Sequence, residues 1–221
     1  MLDSSGFKYA HKFDSKNLLL KVMNLIIKSY SKITEIKVNV DHFLHSRENQ
    51  YRSDLVIMMN KLKSHYGLSG LIINSEPEEY NEGNLIGLID IKIQYCQPNV
   101  ICFEDDWYHS IECKKLDKYL NFSNCYADGV EEFIIGKYSR NTDYAAMIYF
   151  IEEFEENGTI EKIVEKWNNY LIKKFTGTLS KFNHEYEFIY CSKHERINDL
   201  NDIKLFHLML DYSEIYNLNE N

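Results

Sequence analysis

Two acids and a lysine carry the chemistry that can be read from this sequence. Glu112 and Lys114 stand two apart in "YHSIECKKL", residues 108–116, a β-prone run in which side chains two apart project from one face. Asp90 stands in "LIGLIDIKI", residues 85–93, among apolar neighbours, where an acid costs desolvation unless it meets a cation or hydrogen-bond donors. If the strands that carry them lie side by side, Asp90 and Glu112 converge on one point. Two hard oxygen ligands on rigid strands suit magnesium, which keeps several waters and commonly shares itself with phosphate. Lys114, on the face of Glu112, could then position or deprotonate the attacking water, or neutralise charge developing on phosphorus. These residue types in this pattern make a phosphodiester-hydrolysis constellation.

Spacing alone does not single the triplet out, because Glu35-Ile36-Lys37 repeats it and Asp14 precedes that copy at a similar distance. Context does: Asp14 falls at an expected helix cap, whereas Asp90 lies inside an apolar strand. Rival constellations are poorer. His42-x-x-His45 and the five scattered cysteines lack zinc spacing, and no local histidine is defined to activate Cys113 as a nucleophile. His194 and Arg196 in "CSKHER" and His207 in "LFHLML" read as hydrogen-bonded core residues, with a second site as the alternative.

The elements that must position these residues follow from periodicity. Asp14 or Ser15 caps a helix to about residue 30, and the alternation of "ITEIKVNV", residues 33–40, predicts a half-buried strand. Residues 46–65 read as a helix with Tyr51, Leu55, Met58, Met59 and Leu62 on one face. After the short apolar "LIIN", three strands are expected at 85–95, 100–103 and 107–116, as an antiparallel meander. A helix over 126–138 comes next, then 145–151, strand or helix by periodicity alone but favoured as strand by its β-branched and aromatic content and short length, and a helix over 159–175. Strands "YEFIY", 186–190, and "IKLFHLML", 203–210, close the series. The order predicts an α/β or α+β fold, a mixed central sheet flanked by helices.

With 221 residues, 44% hydrophobic content, two prolines and no linker or repeat, one domain over 1–221 is expected. The net charge of −9 argues against nonspecific adhesion to nucleic acid, but much of the acid lies in 75–82 and 152–161. A basic local surface is expected around Lys114, Lys115, Lys118, Lys137 and Arg140. Of these, Lys115, Lys137 and Arg140 are candidates to contact phosphate, and a solvated helix end is the other reading of 137–140. The longest apolar run, 17–30, is interrupted by Lys21, Asn24 and Lys28, too short and polar to span a bilayer. With no secretory signal at the start, a cytoplasmic location without membrane contact and reduced thiols are expected.

Asp90 followed by Glu112-Cys113-Lys114 resembles the PD-(D/E)xK, or restriction-endonuclease-like, nuclease superfamily, with "LID" in the PD position and Ile89 in place of the proline. Residues 46–151 supply that family's α-β-β-β-α-β core in order, with a helix-strand extension before it and a helix-strand-strand extension after it. The resemblance implies that Asp90 and Glu112 bind Mg2+, or Mn2+ in its place, that the carbonyl of Cys113 joins them, that Lys114 serves the attacking water, and that Glu48 on the preceding helix completes the site.

The segments "IDIKIQY", "IECKKLD", "YADGVEEFIIGKYS", "AAMIYFI", "CSKHER" and "KLFHLMLDY" are similar to a group of bacterial restriction-endonuclease-like proteins found among phage-defence genes. Members of that group usually show a basic residue where this chain has Glu131 or Glu132. The implied activity is a magnesium-dependent DNA endonuclease in anti-phage defence or restriction, with a defence-complex protein as a further partner and a homodimer left open. The alternatives are a non-catalytic nucleic-acid- or protein-binding subunit of such a complex, and an RNA-cleaving enzyme on the same fold.

Overall fold

The computed structural model describes residues 15–36, 47–81, 84–95, 108–197 and 200–215. Helix α1 (Ser15–Ile36) buries Leu19, Val22, Met23, Ile26 and Ile33, a stripe at helical spacing. This helix takes in the first half of the strand predicted over 33–40. Ile33 continues the buried stripe, while Ile36, which the alternation would bury, is exposed. Thr34 donates its hydroxyl to Ser31 O and Lys32 pairs with Glu35 one turn on, so the 3.6-residue period overrides four residues of apparent alternation. Glu35 of the second acid-x-lysine triplet therefore lies on an exposed helix end, and residues 37–40 lie outside the described residues.

Helix α2 (Arg47–Leu62) turns Tyr51, Leu55 and Met59 into the core, as expected. Strands β1 (Leu71–Ser75), β2 (Glu78–Asn81), β3 (Asn84–Leu88), β4 (Ile91–Tyr95) and β5 (His109–Leu116) follow. The single strand predicted over 85–95 is two: β3 leaves the main sheet to form a separate ribbon with β2, β4 enters the sheet, and Asp90 sits at the break. The strand predicted at 100–103 lies outside the described residues. β4 pairs directly with β5, Ile91 opposite Ile111.

The next helical region starts earlier than predicted, at α3 (Phe122–Cys125), where Asn121 accepts the Asn124 N–H. It passes through a π-turn (Tyr126–Val130) into α4 (Glu131–Ile134). It also ends earlier than residue 138. Gly136, at φ 72°, donates to Phe133 O while Lys137 N–H donates to Glu132 O, a Schellman stop that leaves Lys137 and Tyr138 beyond the helix.

Strand β6 (Tyr144–Ile151) settles the helix-or-strand ambiguity of that apolar run as strand, and α5 (Ile160–Lys173) begins at Thr159, whose side chain accepts the Lys162 N–H. β7 (Ser180–Lys181), β8 (Ile189–His194) and β9 (Ile203–Asp211) complete the elements. β8 starts later than the predicted 186–190 and runs on through His194. The Tyr186 N–H is taken by His184 Nδ1, which holds that stretch in a bend.

The main sheet is seven-stranded, in the order β1-β4-β5-β6-β9-β8-β7. β5, β6 and β9 are parallel, and antiparallel pairs flank them on both sides. Alternation along β5 and β6 splits the core. Ile111, Cys113, Ile148 and Phe150 pack toward α1 and α2, while Leu116, Met147, Tyr149 and Ile151 pack toward Val130, Phe133 and α5. The chain is thus a mixed α/β fold with a helix layer on each face of one sheet. Among the described residues no helix is long and apolar enough to cross a membrane. Cys113, Cys125 and Cys191 are free thiols, and Cys96 and Cys102 lie outside the described residues.

Candidate active site

Strand β5 runs past the point where β4 begins, so its edge has no strand partner there. Two carboxylates fill that edge. Asp90 Oδ2 accepts the Cys113 N–H at 2.8 Å, and Glu48 Oε2, from the first turn of α2, accepts the Lys115 N–H at 2.7 Å. Asp90 comes just before Ile91, and Glu112 just after Ile111, of the last Ile91–Ile111 pair, and the Asp90 charge acts directly on Glu112. Glu112 is 6% exposed, and its Oε1 accepts Lys114 Nζ at 3.0 Å. Its Oε2 is buried with no hydrogen-bond partner among the described residues.

The electrostatics follow from that crowding. Burial first, and then the adjacent Asp90, push the Glu112 carboxyl well above the ordinary range against the pull of Lys114. Burial also raises Glu48, opposed chiefly by Lys114. Burial works to lower Lys114, but Glu112, Asp90 and Glu48 together outweigh it, and the amine is held above its usual value as an ammonium. Asp90, Glu112, Lys114 and Glu48 thus form one coupled cluster. The Cys113 side chain points the other way into the core, fully buried, where burial and the acids raise its thiol, so it has no role as a nucleophile here.

Comparison with family models, curated proteins and solved structures finds no match to this chain. The site is therefore read from its own geometry. Among the described residues no three His, Cys, Asp or Glu side chains are grouped to hold a metal ion. The centre offers two carboxylates, and one or two carboxylates are what magnesium commonly draws from a protein when substrate phosphate and water supply the rest. The buried, unpartnered Glu112 Oε2 beside a second carboxylate is the feature that fits a small hard cation.

Three residues shape the site without having been singled out by sequence. Arg52 donates Nη1 to Asp90 and Nη2 to Glu76, and its side chain is 5% exposed. It could have been found as a cation in register with Val56 and Met59 on the buried stripe of α2. Glu76, in the acidic segment 75–82, gives its N–H to Asp90 O at 3.1 Å. Gly129, in the π-turn, lies so close to β5 and β6 that a Cβ would meet Met147 Cε at 2.5 Å and Lys114 Cε at 3.5 Å. The turn is kinked at Asp128 (φ −95°, ψ 15°), and Gly129 makes room chiefly for Met147, with Lys114 at ordinary contact distance.

The candidate phosphate-binding cations are arranged differently. Lys115 pairs with Glu152 at 3.4 Å, and Lys137 pairs with Glu132 while its ammonium lies over the Tyr138 ring. Arg140 is exposed and donates Nε to Gly136 O at the end of α4. The C-terminal residues lie elsewhere. His194 and His207 share Ser192 Oγ, at 2.6 and 2.7 Å, in a buried chain that continues through Thr176, Tyr149 and Trp167. Arg196 donates to Ser139 O and Thr142 O, pinning that loop.

Proposed function

We propose that the chain is a magnesium-dependent phosphodiesterase of the PD-(D/E)xK type, acting on DNA in bacterial anti-phage defence or restriction. The observation that carries the reading is the convergence of Asp90 and Glu112 at the β4–β5 junction, with Lys114 Nζ 3.0 Å from Glu112 and Glu112 Oε2 buried and unpartnered. The element order supports it. With the separate β2–β3 ribbon set aside, and with β1 and β4 standing in for the strands predicted at 85–95 and 100–103, α2, β1, β4, β5, the α3–α4 segment and β6 can be matched to the family's α-β-β-β-α-β sequence, with β5 and β6 parallel.

In this reading the Asp90 and Glu112 carboxylates and the Cys113 carbonyl would hold Mg2+ or Mn2+, which would supply Lewis-acid activation of water and charge neutralisation on phosphate. Lys114, kept protonated by the acids around it, orients the water through an N–H donor and stabilises negative charge on the phosphoryl oxygens. Glu48 anchors the first turn of α2 to β5 and holds a second acid beside Lys114. Arg140 and the exposed face of Lys115 are the residues offered to the DNA backbone.

Purified protein should cut DNA with magnesium or manganese, and a chelator should stop it. Absence of any cleavage, together with absence of metal-dependent thermal stabilisation, overturns the proposal. Matched RNA substrates test the RNA-cleaving alternative. A second reading, a non-catalytic subunit of a defence complex, draws on the pairing of Lys115 and Lys137 with the chain's own acids and on the net charge of −9. It expects no cleavage even with the partner protein added.

A further inference from the structure

We propose that the fixed positive charge of Arg52 sets how tightly the Asp90–Glu112 pair binds a divalent cation. The inference rests on the metal-dependent reading above and concerns what regulates that same site.

Arg52 leaves α2 on the buried stripe, and its guanidinium is divided among three acceptors. Nη1 donates to Asp90 Oδ1, while Nη2 donates to Glu76 Oε1 and, at 3.2 Å, to Asn49 Oδ1 one turn earlier on the same helix. Glu76 is itself tied to Asp90 through its N–H and the Asp90 carbonyl. The planar fork thus fixes Asp90 from the side facing away from Cys113, whose N–H holds the other carboxylate oxygen. An uncharged donor could make the same hydrogen bonds. A guanidinium does something more, because it places a full positive charge, out of bulk water, directly on a carboxylate that is to hold a metal ion.

Among the described residues, the charges around Asp90 include the carboxylates Glu48, Glu112 and Glu76, the ammonium Lys114 and the guanidinium Arg52. A doubly charged ion entering there is attracted by every acid and repelled by both cations. At the distances involved, and with the effective dielectric of a partly buried site, removing one neighbouring positive charge strengthens binding of a divalent ion by about tenfold or more. Glu76 acts with the opposite sign. Its side chain is 51% exposed, so its contribution is smaller.

Three variants separate this electrostatic role from simple packing. Mn2+ or Mg2+ binding to the whole chain is measured by calorimetry, without substrate, for wild type, R52M, R52K and E76Q. The expected result is a dissociation constant about tenfold lower in R52M, within about threefold of wild type in R52K, and a few-fold higher in E76Q. A purely structural arginine gives weaker metal binding in R52M, because Asp90 loses its orientation, and unchanged or weaker metal binding in R52M overturns the proposal. If R52M does not fold, the half-exposed Glu76 carries the test, and E76Q with unchanged or tighter binding overturns it. No metal binding by wild type sinks the metal-dependent reading itself, whereas binding by wild type with R52M unchanged sinks only the role given to Arg52.

Discussion

Asp90 Oδ2 accepts the backbone N–H of Cys113 at 2.8 Å, which ties the acid at the head of β4 to the middle of the Glu112-Cys113-Lys114 triplet. The bond locks two segments far apart in sequence into one register. It also leaves Asp90 serving stability and the proposed chemistry at once, and substitutions can separate the two roles.

D90A takes from Arg52 one of its two carboxylate partners, leaving Glu76, and leaves the Cys113 N–H unmet, and should cost about 2 kcal/mol of unfolding free energy. D90N keeps an acceptor for Cys113 and should cost about half as much. Denaturant unfolding of both variants, beside a metal-binding measurement on D90N, checks the ranking, and equal costs would contradict it.

K114A should reduce DNA cleavage by about a hundredfold or more while circular dichroism stays that of the wild type. Glu112 is already held well above its ordinary range by burial, so losing Lys114 lets it take up a proton rather than remain a buried bare charge. Full cleavage by this variant would be incompatible with the proposed mechanism.

G129A adds a methyl group against the flexible end of Met147 and the Lys114 stem. Because Met147 can swing aside, the stability cost should be only about 1 kcal/mol. Turnover and substrate affinity should both stay near the wild-type values, since the group that must move is Met147, while Lys114 Cε at 3.5 Å is at ordinary contact distance. Steady-state cleavage kinetics check both.

The His194–Ser192–His207 chain predicts acid sensitivity. Burial holds His194 down to about 4 and, helped by the neighbouring His194, holds His207 down to about 3. In the unfolded chain both take a proton as pH falls below about 6.5, while the folded protein refuses it, so stability is full above that value and declines from there toward pH 3. At pH 5 the loss should be about 2 kcal/mol per histidine. Unfolding midpoints at pH 8, 6 and 5 test this, and H207Q should lower the slope by about half.

Much of the site was legible in the sequence because a strand places residues two apart on one face, and because an acid in an apolar run needs a partner. Glu112, Lys114 and Asp90 meet for those reasons. What escaped was set by tertiary contact. Arg52 looked like one polar residue among several on α2, and its significance lies in Glu76 and Asp90, which only the fold brings to it. The strand expected at 33–40 was a short alternation at the end of a longer helical stripe, and the longer pattern prevailed. The π-turn has no propensity signature, since it exists to fit Gly129 against Met147 and Lys114.

The parallel centre of the sheet also dictates when the cluster can form during folding. β5 meets β6 only after α3, the π-turn and α4 have been laid down, and β6 gains its second neighbour only when β9 arrives, with Ala146 opposite both Ile111 and Phe206. Pairings of such long sequence separation are slow to close. Until β9 docks, the apolar β6 presents an open edge on which other chains can assemble. Deleting β9 should therefore yield aggregates rather than a smaller working protein, although β9 contributes no side chain to the acid-lysine cluster.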